Sequence, residues 1–71
     1  MLGIYHVKER GERKREAIVR AHSSSDTADL VAAAIGLTSH QLRDVALFSI
    51  IEVNFGESFL NGGERGVIAV F

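Results

Sequence analysis

The sequence predicts an α+β fold: a β-hairpin, one helix and two further strands, forming a single antiparallel sheet with the helix on one face and room for a fifth short strand. Three observations carry this. Apolar and polar residues alternate with a period of two on both sides of a polar turn before residue 22. A helix with clear start and stop signals follows. The chain then closes on runs rich in β-branched and aromatic residues.

Ile4 to Glu9 alternates as a strand, with Tyr5 and Val7 on one side and Ile4, His6 and Lys8 on the other. Ala17, Val19 and Ala21 alternate in the same way against Glu16, Ile18 and Arg20. Between them, Arg10-Gly11-Glu12-Arg13-Lys14 is a polar turn in which Gly11 is the residue able to take a positive φ. A competing reading makes Glu12 to His22 a helix with Ala17, Ile18 and Ala21 as its stripe. It leaves Val19 on the polar side, so the hairpin is preferred.

Ser23-Ser24-Ser25-Asp26 is a helix start: a serine can cap free backbone N–H groups, and Asp26 and Asp29 complement the positive end of the dipole. The helix runs to about Ile35, with Ala28, Val31, Ala34 and Ile35 on one face. Gly36 suits a left-handed terminator, and Leu37 suits the apolar contact that accompanies it.

Thr38 and Gln41 can form a capping box for a short helix containing Leu42, Val45 and Ala46. Alternatively, Thr38 to Asp44 is a loop and Val45 to Phe55 one long strand. Gly56 is placed to make a bulge, Asn61-Gly62-Gly63 to make a turn, and Gly66 to Phe71 to make a final strand. The last two strands are expected to form a hairpin or meander.

Seventy-one residues make one domain, residues 1–71, near the lower limit for a single core. No cysteine is present, which removes disulfides and thiolate metal sites and suits a cytoplasmic location. The start, MLGIYHVKERGERK, lacks the apolar core of a signal peptide, and no apolar run approaches the roughly 20 residues of a membrane span. A soluble protein is expected. An apolar content of 46% is generous for so small an interior, and the final strand is apolar on both faces. Burial in a homodimer would answer both.

The net charge of −1 conceals an asymmetry: residues 1–20 carry six basic and three acidic side chains, residues 21–71 two basic and six acidic. A basic end is thus joined to a mildly acidic body.

No residue pattern calls for a cofactor, a metal or catalysis. His6, His22 and His40 fit no ligand spacing. The serine run lacks a glycine-flanked elbow, and Gly62-Gly63-Glu64-Arg65-Gly66 lacks the lysine–serine pair of a P-loop. Glu52 and Glu57 have nothing to desolvate them. The feature with functional pull is the basic hairpin tip, Lys8, Arg10, Arg13, Lys14 and Arg15, a candidate contact for phosphate or an acidic protein surface. No aromatic is interleaved there for base stacking.

Two resemblances follow from the layout. Ala32, Gly36 and Leu42 have the spacing of a helix-turn-helix. With REAIVRA as a preceding helix and FSIIEVNF…GVIAVF as a wing, residues 15–71 resemble a winged-helix regulator. That resemblance implies a recognition helix from Ser39 to Ala46 offering Ser39, His40, Gln41 and Arg43 to the major groove. The whole chain also resembles small phage and mobile-element inhibitors such as type I anti-CRISPR proteins, in its size, its two strands, and a helix opening after Val19-x-Ala21-x-Ser23. This implies a non-catalytic, phage-encoded protein of the host cytoplasm that occupies a surface of a defence nucleoprotein complex. The basic hairpin and the acidic helix start, Asp26 and Asp29, would be its contact patches. A self-associating structural or accessory domain is a third reading.

Overall fold

The period-two pattern at the N-terminus produces the centre of the sheet. The computed structural model describes residues 2–53 and 63–71. In it, strand β1 (Gly3–Glu9) and strand β2 (Glu16–Ala21) pair antiparallel, with Tyr5 opposite Val19 and Val7 opposite Ala17. Tyr5, Val7, Ala17, Val19 and Ala21 are all buried on one face, while His6, Lys8, Glu16, Ile18 and Arg20 occupy the other, as the alternation requires. The hairpin closes when Glu9 N–H donates to the Arg15 carbonyl at 2.8 Å. The left-handed residue in this turn is Lys14, with φ 50°; Gly11 does not take a positive φ.

Helix α1 (Ser24–Ile35) has the expected ends. Ser23 Oγ accepts from Asp26 N–H at 3.0 Å, and Asp26 in turn accepts from His22 N–H at 2.9 Å. Gly36 closes the helix at φ 75°, and Leu37 N–H returns to the Ala32 carbonyl. The buried face differs from the expected one. Thr27, Ala28, Val31 and Ala32 face the sheet, whereas Ala34 is exposed. Small side chains at 28 and 32 let the helix backbone settle close to β2. Thr27 can join them because its hydroxyl donates to the Ser23 carbonyl at 2.9 Å.

The open choice over residues 38–46 resolves as a second, short helix, α2 (Ser39–Arg43). Thr38 Oγ1 accepts from Gln41 N–H at 3.2 Å and Gln41 Oε1 accepts from Thr38 N–H at 3.0 Å, a complete capping box. Leu42, 1% exposed, drives the turn into the core. The chain then turns at Asp44, whose carbonyl accepts from both Leu47 and Phe48 N–H. Strand β3 therefore begins at Phe48 rather than Val45, which is 80% exposed, and runs Phe48–Val53. Phe55, Gly56, Glu57, Asn61 and Gly62 lie outside the described residues, and with them the expected bulge and most of the expected last turn.

Strand β4 (Gly66–Val70) pairs with β2, and β3 pairs with β1, giving the order β3-β1-β2-β4, antiparallel throughout. The expected hairpin or meander of the last two strands is replaced by strands on opposite edges. The physical reason lies in α2: packed between α1 and β3, it returns the chain beside β1 and leaves the edge of β2 for β4. A bulge falls in the β2–β4 pairing, beside Ile18 and Val19. No fifth strand occurs among the described residues.

The winged-helix arrangement is not formed. Glu16–Ala21 is a strand where that arrangement needs a helix, and the expected recognition helix shrinks to five residues. Helix and strand make up 28% and 39% of the described residues, so far-UV circular dichroism should fit more strand than helix, against roughly half helix for the three-helix alternative. Leu42→Ala should cost about 2–4 kcal/mol in a denaturant titration; a cost near zero would mean that α2 does not anchor the core.

Candidate binding surface at the basic hairpin

The β1–β2 turn concentrates positive charge because the strands on either side run out of apolar residues at Glu9 and Glu16. Lys8, Arg10, Arg13 and Lys14 are all exposed, and among the described residues none has a carboxylate within ion-pair distance. The other cations of the chain are more committed. Arg15, half-buried, donates Nε to Glu9 Oε1 at 2.8 Å and Nη2 to Oε2 at 3.1 Å, a bidentate pair that ties the two strands together. This pair holds the Glu9 carboxyl below the usual carboxylate range and removes both charges from the contact surface. Of the five expected cations, four are available and Arg15 is structural.

A cleft of about 410 Å³ opens at the base of this tip, lined by Lys8, Glu9, Arg10, Lys14 and Ser49. Ser49 enters because β3 places it directly opposite Lys8, a pairing that local sequence does not reveal. Lys14 contributes from a left-handed backbone, where asparagine or glycine would be cheaper by about 1 kcal/mol. A strained lysine in a turn is more readily explained by its side chain than by its backbone.

The acidic helix start is not a free patch. Arg65 Nε lies 2.9 Å from both carboxylate oxygens of Asp26, and Arg65 Nη2 also donates to Oδ1. With the His22 N–H, these bonds hold the Asp26 carboxyl down from 3.8 to about 2. Asp29 accepts from Arg43 at 3.1 Å, and Arg43 also donates to Ser25 Oγ at 2.7 Å. The expected acidic contacts are thus ties from α1 to the start of β4 and to α2. The same bonds fix Arg43, the one cation of the proposed recognition helix, against α1. Ser39, His40 and Gln41 remain on α2, with Gln41 used in the capping box. Arg65 was legible only as part of a glycine-rich turn, since nothing local links it to Asp26.

On the sheet face opposite α1, His6 Nε2 and Glu16 Oε1 lie 2.7 Å apart, both partly exposed. No serine hydroxyl lies within hydrogen-bond distance of this imidazole among the described residues, so no charge-relay geometry is assembled. No group of three potential metal ligands occurs among them either, and no described helix is long and apolar enough to cross a membrane. No family model, curated protein or solved structure matches the chain.

The lowered pKa of Asp26 has a definite sign. The unfolded chain takes up this proton near pH 4 and the folded chain near pH 2, so the stabilisation is present above about pH 4 and is lost as pH falls through that window. The melting temperature should therefore decline between pH 4 and 2, with Glu9 acting in the same direction, and Asp26→Asn should flatten part of the decline. At the tip, Lys14→Asn should leave stability unchanged or raise it by up to about 1 kcal/mol, whereas Lys14→Val should lower it by about 1–2 kcal/mol. Thermal melts of the two variants test this.

Proposed function

We propose that the chain is a non-catalytic binding module that presents its basic hairpin to an acidic surface of a protein partner. In its sharpest form it is a phage-encoded inhibitor that occupies a subunit surface of a host defence nucleoprotein complex, as type I anti-CRISPR proteins do. The observation that carries this reading is the set of four exposed cations, Lys8, Arg10, Arg13 and Lys14, without carboxylate partners among the described residues, in a chain whose other arginines are hydrogen-bonded internally. Unpaired like charges at one tip repel one another and contribute nothing to folding. Their value lies in steering and holding something negative.

Three features favour a protein surface over nucleic acid. The basic area is a single tip rather than a stripe, the body beyond residue 20 is net acidic, and no aromatic lines the cleft for base stacking. A duplex lying across the tip would soon meet the acidic body. An acidic protein patch of matching size would not.

A reconstituted type I CRISPR effector complex offers a direct test. The purified chain should co-elute with the complex and reduce its binding to target duplex. The triple change Arg10→Gln, Arg13→Gln, Lys14→Asn should weaken co-elution by at least about tenfold, since several charges act together, while stability is unchanged or rises by up to about 1 kcal/mol through Lys14→Asn. Affinity for bare duplex with a steep salt dependence and no affinity for the complex would overturn the reading.

A further inference from the structure

The two edges of the sheet are unlike. Strand β3 carries Glu52, whereas Gly66 to Phe71 holds no charged residue and no proline; of the devices that normally protect an edge from pairing, β4 has only the bulge that skips Ile68 between Val67 and Ala69. Ile68, Val70 and Phe71 on this edge are 48%, 46% and 65% exposed. Phe71 exchanges both backbone hydrogen bonds with Glu16, at 2.7 and 2.8 Å. In an antiparallel ladder the neighbouring residue, Val70, then aims its N–H and C=O away from β2, toward the outer edge. No described strand takes them up.

We infer that β4 is a self-association edge, pairing with β4 of a second copy about a two-fold axis to join two four-stranded sheets into one of eight strands. The charge pattern favours a second copy as occupant. A two-fold through the middle of β4 sets Gly66–Val70 against its own copy, so only uncharged residues meet. The nearest charge, Arg65, lies just before the strand and is already held by Asp26 of its own chain. Pairing β3 with itself would instead bring two copies of Glu52 close together. A standard interface needs about 800 Å² per partner, about a sixth of the 4735 Å² surface. Helix α1, which packs beside β4, comes alongside its mate on the same face and adds to what the strands bury. Phe71 lies at the hairpin-tip end of β4, beside Glu16, so antiparallel pairing sends the two tips in opposite directions. Given the binding role proposed for the tip, one dimer engages two partner molecules.

Sedimentation equilibrium of the full chain, from about 5 to about 200 µM, tests the edge independently of any partner. A dimer is expected. Ile68→Lys should weaken it by at least about tenfold with an unchanged circular dichroism spectrum, and Ile51→Lys on the opposite edge should leave it intact. Val70→Pro provides a second disruption, because it removes only an N–H that β2 does not use. A monomer throughout the concentration range, or a dimer untouched by both β4 changes, would overturn the assignment. Loss of effector binding in the triple tip variant bears on the proposed function and leaves this result unaffected.

Discussion

One 12-residue helix has to cover the apolar face of a four-stranded sheet, and the rest of the structure depends on how closely it can approach. Val31 and the small residues Ala28 and Ala32 settle onto Tyr5, Val7, Ala17, Val19 and Ala21, and these form one core with Leu42 and Phe48. The cost of a single helix is incomplete cover. Leu30, Ile35, Leu37, Ile50 and Val67 are only partly buried around that core, and in so small a chain each half-exposed side chain forfeits part of its transfer energy. Helix α2 answers part of this by lowering Leu42 beside α1 like a plug.

Polar bonds then hold the covering layer at its edges. Asp26 serves α1 three ways: its N–H is capped by Ser23, its carboxylate fixes the preceding chain at His22, and it receives Arg65 from the start of β4. Arg43 ties α2 to α1, and Arg15 ties β2 to β1. Exposed pairs of this kind are individually weak. Their effect, with the Arg20 bond to the Glu64 carbonyl, is to commit the arginines outside the tip to neighbours. The four cations of the turn stand out against that background, and the functional proposal depends on this contrast more than on the number of positive charges.

Gly63 illustrates the same economy of space. A Cβ there would collide with the guanidinium of Arg20, and its φ of 152° suits glycine alone. The chain entering β4 therefore passes tightly over β2, whose Arg20 also donates to the Glu64 carbonyl. Strand β4 is held on one side by this approach and by the ladder to β2, while its other side presents an apolar edge.

Local patterns in the sequence determined a good deal. Val19 selected strand over helix for residues 16–21, because only a period of two places it with Tyr5 and Val7. Ser23, Asp26 and Gly36 set both ends of α1, and Thr38 with Gln41 held the signal for α2, since caps are short-range hydrogen bonds written within four residues. The basic tip was also legible, as a run of like charge in a turn. Tertiary structure decided what depends on partners far apart in the chain. It put β3 and β4 on opposite edges, a consequence of where α2 returns the backbone. It turned Ala32 rather than Ala34 toward the sheet, because the angle of a helix across a sheet is set by packing and not by its own periodicity. It brought Arg65 to Asp26 across 39 residues and Ser49 beside Lys8, so that an acidic patch became a structural tie and a turn became a cleft. Charge and period are properties of neighbours in sequence; whether a charge is free or spent is a property of neighbours in space.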